Sequence, residues 1–323
     1  MLSSGQQKIL SHFENAVVTE SVRHAYIINA EKGMGKKHLC DYVQMCFACN
    51  EKKACGICSG CKSAAIGANP DIIRMSNGGK KNYDVDSVRA LIKKVYEKPA
   101  YGGYKLVIIE NAHLLTETCQ NALLKAIEEP PPYAVFVLLC DNLNTILPTI
   151  LSRVMVMNIP LWSESELRAC CVLGGEDDFL YGYAMGNIGT LISVSSDEEF
   201  RHRRKQAIDT VCTFAKGDDF GVYDATDVWE KNKEHIADYI NVTALFLRDV
   251  IFYKNGRKEL IVNKDELLRI KSLSDTVTQK ACLAMTETVG NIFAGISRNE
   301  NIKMAVQTMF MQLGHICAKG GNS

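Results

Sequence analysis

Four cysteines near the start of the chain have the spacing of a metal-binding cluster. Cys49, Cys55, Cys58 and Cys61 follow the pattern C-x5-C-x2-C-x2-C. Four thiolates suit a tetrahedral zinc ion, and the two-residue gaps let neighbouring cysteines reach the same metal. Cys46 is an alternative first ligand, although Cys49 is preferred. Because no coordination position is left open, the predicted zinc is structural rather than catalytic.

A glycine-rich segment that starts at Ala30 partly matches the sequence pattern of a nucleotide-binding phosphate loop. This pattern is G-x-x-x-x-G-K-[ST] between a strand and a helix. Gly33, Gly35 and Lys36 fit this pattern. Ala30 replaces the first glycine, and Lys37 replaces the hydroxyl residue that holds magnesium. Nucleotide binding is left open, because Lys36 and the glycines permit it whereas Ala30 and Lys37 oppose it.

The residues at the end of a later apolar segment also differ from the sequence pattern of proteins that hydrolyse nucleotides. Hydrolysing proteins commonly end this strand with Asp-Glu, one residue for magnesium and one for the attacking water. Here the segment ends with Glu110-Asn111. Glu110 could reach a metal, but an asparagine amide cannot act as a base. The predicted degenerate nucleotide site consists of Gly33, Gly35, Lys36, Lys37 and Glu110.

The elements that must position these residues alternate between strands and helices. Five short apolar segments predict buried strands: 26–29, 71–74, 105–110, 134–140 and 154–157. Asp84 and Thr116 can cap helices between them. This alternation favours a parallel sheet with flanking helices. No proline follows Pro160, and the later segments have helical periodicity, so an all-α second half is expected.

Composition excludes several classes of protein. The 323 residues include 37 Lys+Arg and 37 Asp+Glu, and 47% are hydrophobic. A neutral chain does not coat nucleic acid by bulk charge, which requires excess cations. The 13 cysteines, the lack of a signal-peptide pattern and the lack of an apolar run of about 20 residues favour a reducing, cytoplasmic location without a membrane partner.

Several segments together resemble the bacterial clamp-loader members of the AAA+ ATPases. Beside the phosphate loop and the cysteine cluster, they are residues 24–26, 69–71, 104–109, 121–130 and 147–153. The resemblance implies an α/β AAA+ core at 1–160 with a zinc module at 46–61, a small all-α lid at 161–200, and an all-α collar domain at 201–323 that assembles a ring.

The resemblance also implies a role and partners. Family members open a sliding clamp and load it on primed DNA in DNA polymerase III, together with gamma/tau and delta subunits. Arg153 matches the family's arginine finger, which reaches the ATP site of a neighbouring subunit. Residues 186–189 stand where hydrolysing relatives place an ATP-sensing arginine, and no arginine occurs there. The expected role is therefore that of a clamp-loader subunit without intrinsic ATPase activity.

Two alternatives stay open. An active ATPase of the gamma/tau type would turn over magnesium-ATP as an isolated chain, which Lys37 and Asn111 oppose. A standalone zinc-containing DNA-binding protein would bind duplex DNA tightly with a steep salt dependence, which the zero net charge opposes.

Overall fold

The computed structural model describes residues 1–215, 221–296 and 301–320. The chain divides into two compact units: one comprises residues 1–170 and 186–190, and the other comprises residues 171–185 and those from 191 onward. The three-domain layout expected from the sequence stays a prediction. Within its collar, residues 216–220, 297–300 and 321–323 lie outside the described residues.

The first unit is built on a five-stranded parallel sheet in the order β2-β3-β4-β1-β5. Its strands are β1 Ala25–Asn29, β2 Ile72–Met75, β3 Lys105–Ile109, β4 Ala134–Cys140 and β5 Met155–Asn158. All five predicted strands are confirmed to within one residue. Every residue of β3 and β4 is buried, because helices cover both faces of a parallel sheet.

Seven helices accompany this sheet. They are α1 Ser4–Val18, α2 Lys36–Ala48, α3 Ser59–Ala65, α4 Val85–Val95, α5 Glu117–Glu128, α6 Pro148–Leu151 and α7 Glu164–Cys170. Both predicted caps are confirmed: an Asp84 carboxylate oxygen accepts from the Ser87 N–H at 3.0 Å, and Thr116 Oγ1 accepts from the Cys119 N–H at 3.3 Å. These caps satisfy N–H groups that a helix leaves without intrahelical partners.

The strand order determines where functional side chains can meet. β1 is hydrogen-bonded to β4, and β4 to β3. In a parallel sheet the carboxyl ends of neighbouring strands lie at one edge, where such folds bind ligands. The glycine-rich loop follows β1, Glu110 follows β3 and Asp141 follows β4. The sheet therefore brings three distant segments of the sequence to one edge.

The described residues after Cys170 contain helices and no strand, as predicted. They form α8 Phe179–Ala184, α9 Ile188–Ser195, α10 Phe200–Ala215, α11 Gly221–Lys231, α12 Ile236–Lys254, α13 Leu267–Thr276, α14 Gln279–Ile296 and α15 Ile302–Gly320. In the second unit, α12 packs against α10, α13 and α14. The Trp229 ring lies 4.8 Å from Tyr239 and 4.9 Å from Phe310. In the part of the chain that the structure describes, no helix has the length and apolarity to span a membrane.

Candidate functional site

The glycine-rich loop between β1 and α2 contains two glycines in the left-handed backbone region. Gly33 and Gly35 adopt φ values of +91° and +76°, a left-handed conformation that glycine tolerates best. A Cβ atom at Gly33 would lie 2.6 Å from Asn187 Oδ1, so a side chain there would also collide. α2 starts at Lys36 without a side-chain cap. The first N–H groups of α2 therefore point from the helix end without an intrahelical acceptor.

The Lys36 ammonium is enclosed by acceptors of its own chain. Its Nζ atom lies 2.6 Å from Ala30 O, 2.8 Å from Glu31 O and 2.7 Å from Asp141 Oδ1. A lysine ammonium has three N–H donors, and the three acceptors match that number. Lys36 is buried, which strengthens these interactions relative to the same contacts in water.

Lys37 forms an ion pair with the carboxylate at the end of β3. Lys37 Nζ lies 2.6 Å from Glu110 Oε2, and Arg74 Nε donates to Glu110 Oε1 at 2.5 Å. Burial raises the pKa of Glu110, but the hydrogen bonds from Lys37 and Arg74 outweigh it and hold the pKa below its usual range. Arg74 also pairs with Asp41 at 2.6 Å. An ammonium thus lies against the carboxylate that would face magnesium in a hydrolysing relative.

The residue after Glu110 lies beside the loop but lacks a basic group. Asn111 has a φ of +49°, and its Nδ2 atom donates to Asn77 Oδ1 at 3.1 Å. It lines a cavity of about 480 Å³ with residues of the glycine-rich loop and with Asp141. An amide at this position can bind an anion or a water molecule, but it cannot accept the proton that an attacking water must lose.

Two further side chains hold the outer part of the loop. Asn187 Nδ2 donates to Lys32 O at 2.9 Å, and Gln6 Nε2 donates to Met34 O at 2.9 Å. The Gly189 N–H also donates to Gly33 O at 3.0 Å. These hydrogen bonds fix the loop from both sides.

The four predicted cysteine ligands come together. Sγ–Sγ distances are 3.5 Å for Cys49–Cys55, 3.7 Å for Cys55–Cys61 and 3.8 Å for Cys49–Cys58. Four sulfur atoms at 2.3 Å from a tetrahedral zinc ion lie about 3.8 Å from one another. The cluster therefore has the dimensions of a zinc site. A Cβ atom at Gly60 would lie 1.8 Å from Ala48 O, so the close approach between α2 and α3 requires glycine.

The structure distinguishes Cys49 from Cys46. Cys49 belongs to the four-sulfur cluster, whereas Cys46 Sγ is directed toward Tyr42 O at 3.3 Å. Burial raises the pKa of Cys46 to about 12 and also raises the pKa of Cys61, which belongs to the cluster. The position of the sulfur atom, and not its pKa, therefore distinguishes Cys49 from Cys46. Within the cluster, the Cys61 N–H faces Cys58 Sγ at 3.4 Å and lowers the pKa of Cys58 to about 6. Thiolates are the form that binds metals, and this hydrogen bond favours the thiolate of Cys58.

Arg153 lies on the surface after α6 and is held by three contacts. Its Nη1 atom donates to Thr149 O at 2.9 Å and to Ser152 Oγ at 3.0 Å, and its Nη2 atom lies 2.9 Å from Glu128 Oε1. The side chain is 40% exposed. A guanidinium has five N–H donors, and the contacts of Arg153 with the described residues use three of them.

Sequence reasoning missed Asp141, Arg74 and Gln6, which the structure places around the glycine-rich loop. Asp141 could have been predicted from the sequence, because it is a charged residue directly after a buried strand, where parallel sheets bind ligands. Gln6 and Arg74 offered no comparable pattern, since their contacts depend on the placement of α1 and β2.

The first half of the chain is similar to known proteins. Residues 5–162 match the family described as DNA polymerase III, delta subunit. The chain is 33% identical over 150 residues to the DNA polymerase III subunit delta' of Buchnera aphidicola subsp. Schizaphis graminum, covering 46% of each protein. It is 35% identical over 144 residues to the subunit delta' of Haemophilus influenzae, covering 44% of each.

The tau/gamma subunit of Haemophilus influenzae is 29% identical over 166 residues, covering 50% of this chain and 24% of that protein. The chain thus matches somewhat less than half the length of the two delta' relatives and about a quarter of the tau/gamma relative. These similarities confirm the resemblance that the residues suggested.

Proposed function

We propose that this chain, whose residues 5–162 match the family described as DNA polymerase III, delta subunit, is a non-hydrolysing, delta-prime-like subunit of a DNA polymerase III clamp loader. In this role it helps to load the sliding clamp onto primed DNA. Its partners are the gamma/tau and delta subunits, the clamp, and the primed DNA within the assembled complex.

The ion pair between Lys37 and Glu110, at 2.6 Å, carries the non-hydrolysing part of the proposal. In phosphate-loop ATPases a hydroxyl residue and an acidic residue hold the magnesium ion that neutralises developing charge on the phosphates. Here an ammonium takes the place of the hydroxyl and pairs with the acid. Asn111 in turn lacks the basic group that would orient and activate water.

A steady-state ATPase assay of the isolated chain with magnesium tests this part. We expect ATP turnover no higher than the background without protein. The hydroxyl residue that would hold magnesium is replaced by Lys37, and the residue that would activate water is replaced by Asn111. A hydrolysing gamma/tau subunit assayed in parallel is the positive control. Turnover by the purified wild-type chain that the Lys36→Met variant loses would contradict the proposal.

Arg153 supports a role in a neighbouring ATP site. Its guanidinium carries a permanent charge, and two of its donors have no acceptor among the residues that the structure describes. Such a fork matches the oxygen atoms of a phosphoryl group. We propose that Arg153 is the arginine finger that this chain donates to an adjacent ATPase subunit.

The cysteine cluster supports a structural zinc ion bound by Cys49, Cys55, Cys58 and Cys61. When bound, the zinc would join the end of α2 to the start of α3, since Cys49 follows Ala48 and Cys61 lies within α3. Such a site contributes directly to folding free energy. It would hold a module that is too small to bury a core of its own.

The arrangement of core, lid and collar at 1–160, 161–200 and 201–323 belongs to the same proposal, as does a cytoplasmic location. A gamma/tau-like ATPase is the second candidate, favoured by the 29% identity to the tau/gamma subunit of Haemophilus influenzae. The ATPase assay separates the two candidates, because only the second turns over ATP as an isolated chain.

A further inference from the structure

We propose that Asp141 is a resident counter-ion of the phosphate loop, which occupies the position on Lys36 that a bound phosphate needs and so determines which anions the loop admits. This inference deepens the proposed function and rests on it, because it assumes that the loop descends from a nucleotide site. It assigns Asp141 as a specificity-determining residue.

The first support is the saturation of the lysine. Two loop carbonyls and Asp141 Oδ1, all within 2.8 Å, use the three donors of Lys36. The carbonyl contacts fold the lysine back onto its own loop, so Asp141 is the single anionic partner of this ammonium among the described residues. A phosphate oxygen could bind the ammonium only by displacing one of these acceptors.

The second support is the way in which Asp141 is held. The Asp141 N–H donates to His113 Nδ1 at 3.3 Å, and His113 Nε2 lies 3.8 Å from Asp141 Oδ2. A neutral imidazole whose Nδ1 accepts a hydrogen bond carries its ring proton on Nε2. The backbone of Asp141 is thus held by a hydrogen bond to His113, and its carboxylate lies beside the imidazole ring.

The third support is the room that remains. The cavity of about 480 Å³ is lined by three cationic loop residues, Lys32, Lys36 and Lys37, together with Asp141. An anion that enters this space meets the start of α2, where helix N–H groups favour negative charge. It also meets the Asp141 carboxylate, whose like charge opposes binding. Replacing Asp141 by a neutral residue of the same shape should remove this opposition.

A different cause of exclusion would be steric. The hydrogen bonds from Asn187 and Gln6 to the loop could keep it too narrow for a phosphate whatever the charge at Asp141. The test must therefore change charge without changing shape.

Isothermal titration calorimetry of the full chain with inorganic pyrophosphate, ADP and ATP, in buffer without magnesium, provides this test. We expect the Asp141→Asn variant to bind pyrophosphate at least about tenfold more tightly than the wild type, because a repulsive unit charge about 4 Å from the anion is removed. The pyrophosphate arm reports the phosphate contacts alone, and the nucleotide arms show whether the base and sugar also fit.

Two controls give the result its meaning. The Asp86→Asn variant makes the same charge change at an exposed position on α4, where Asp86 pairs with Arg89 at 3.2 Å, and it should bind like the wild type. Adding Lys36→Met to Asp141→Asn should abolish the gain. An Asp141→Ser variant repeats the test if the asparagine variant does not fold.

Equal pyrophosphate affinities of folded wild type, Asp141→Asn and Asp141→Ser would overturn the inference and assign the exclusion to loop shape. Such a result would leave the non-hydrolysing role untouched, because turnover and assembly are measured separately. Conversely, ATP turnover by the wild-type chain would refute the proposed function whatever the effect of Asp141 on binding.

Discussion

Replacing Glu110 by glutamine should destabilise the first unit measurably at neutral pH. The change keeps the shape of the side chain but leaves Lys37 and Arg74 without their shared anion. Removing one partner from a fully buried ion pair costs about 3–5 kcal/mol. Lys37 and Arg74 are 59% and 30% exposed, so water can solvate both after the change. We therefore expect a loss of about 2 kcal/mol in the free energy of unfolding.

The loss should depend on pH with a definite sign. The pKa of Glu110 is lowered in the folded chain, whereas an unfolded glutamate has a pKa of about 4.3. A carboxylate with a lowered pKa contributes stability that is fully present above the unfolded value and is lost as the pH falls through the folded value. The difference between wild type and Glu110→Gln should be complete at pH 7 and should shrink below about pH 4.

Urea unfolding followed by tryptophan fluorescence measures this difference. Trp162 lies in the first unit and Trp229 in the second, so a Trp229→Phe background makes Trp162 the only tryptophan reporter. The matched control is Glu20→Gln, since Glu20 pairs with Lys52 at 3.1 Å but is 75% exposed. This control should change the free energy of unfolding by less than about 0.5 kcal/mol.

Two results would show that the ion pairs of Glu110 do not stabilise the first unit. One is a Glu110→Gln variant as stable as the control variant at pH 7. The other is a stability difference that persists undiminished at pH 3, which would show that packing rather than charge holds Glu110.

The remaining predictions concern the metal and the chemistry of the loop. Elemental analysis should find about one zinc per chain; Cys58→Ser should lose it while Cys46→Ser keeps it, and zinc retention by Cys58→Ser would contradict the assigned ligand set. Chelation should lower the thermal stability of the wild type but leave zinc-free Cys58→Ser unchanged in a melting assay, because metal binding is coupled to folding. Lys37→Thr should show no ATP turnover in a phosphate-release assay, because Asn111 still lacks a base; turnover by that variant would assign the whole defect to Lys37.

The strands and helix caps could be predicted because short sequence patterns specify them. The buried strands Lys105–Ile109 and Ala134–Cys140 are short apolar runs, and the caps Asp84 and Thr116 are residue types whose oxygen atoms satisfy helix N–H groups. The cysteine cluster was also predictable, because all four cysteines lie between positions 49 and 61, with two-residue gaps that let neighbouring cysteines reach one metal. Cys49, which the spacing favoured over Cys46 as the first ligand, lies in the four-sulfur cluster.

The side-chain contacts to the glycine-rich loop could not be predicted from the sequence, because they join segments that lie far apart in the chain. Asp141 is 105 residues beyond Lys36 (141 − 36), and the two meet only because β4 lies beside β1. Gln6 reaches the loop from α1, and Asn187 reaches it from the segment before α9. Such contacts depend on strand order and helix placement, which local periodicity does not encode.

Reconstitution of the complex tests whether this chain serves a clamp loader without hydrolysing ATP itself. Three forms of the chain are each combined with gamma/tau and delta subunits: the wild type, Arg153→Ala and the exposed-arginine control Arg89→Ala. Assembly and ATP turnover are then measured on the same sample. We predict that all three join the complex and that only Arg153→Ala removes the turnover of the adjacent ATPase site, since an arginine finger accelerates phosphoryl transfer about 10³-fold or more. Failure of the wild type to join the complex, or equal turnover with Arg153→Ala, would contradict the account.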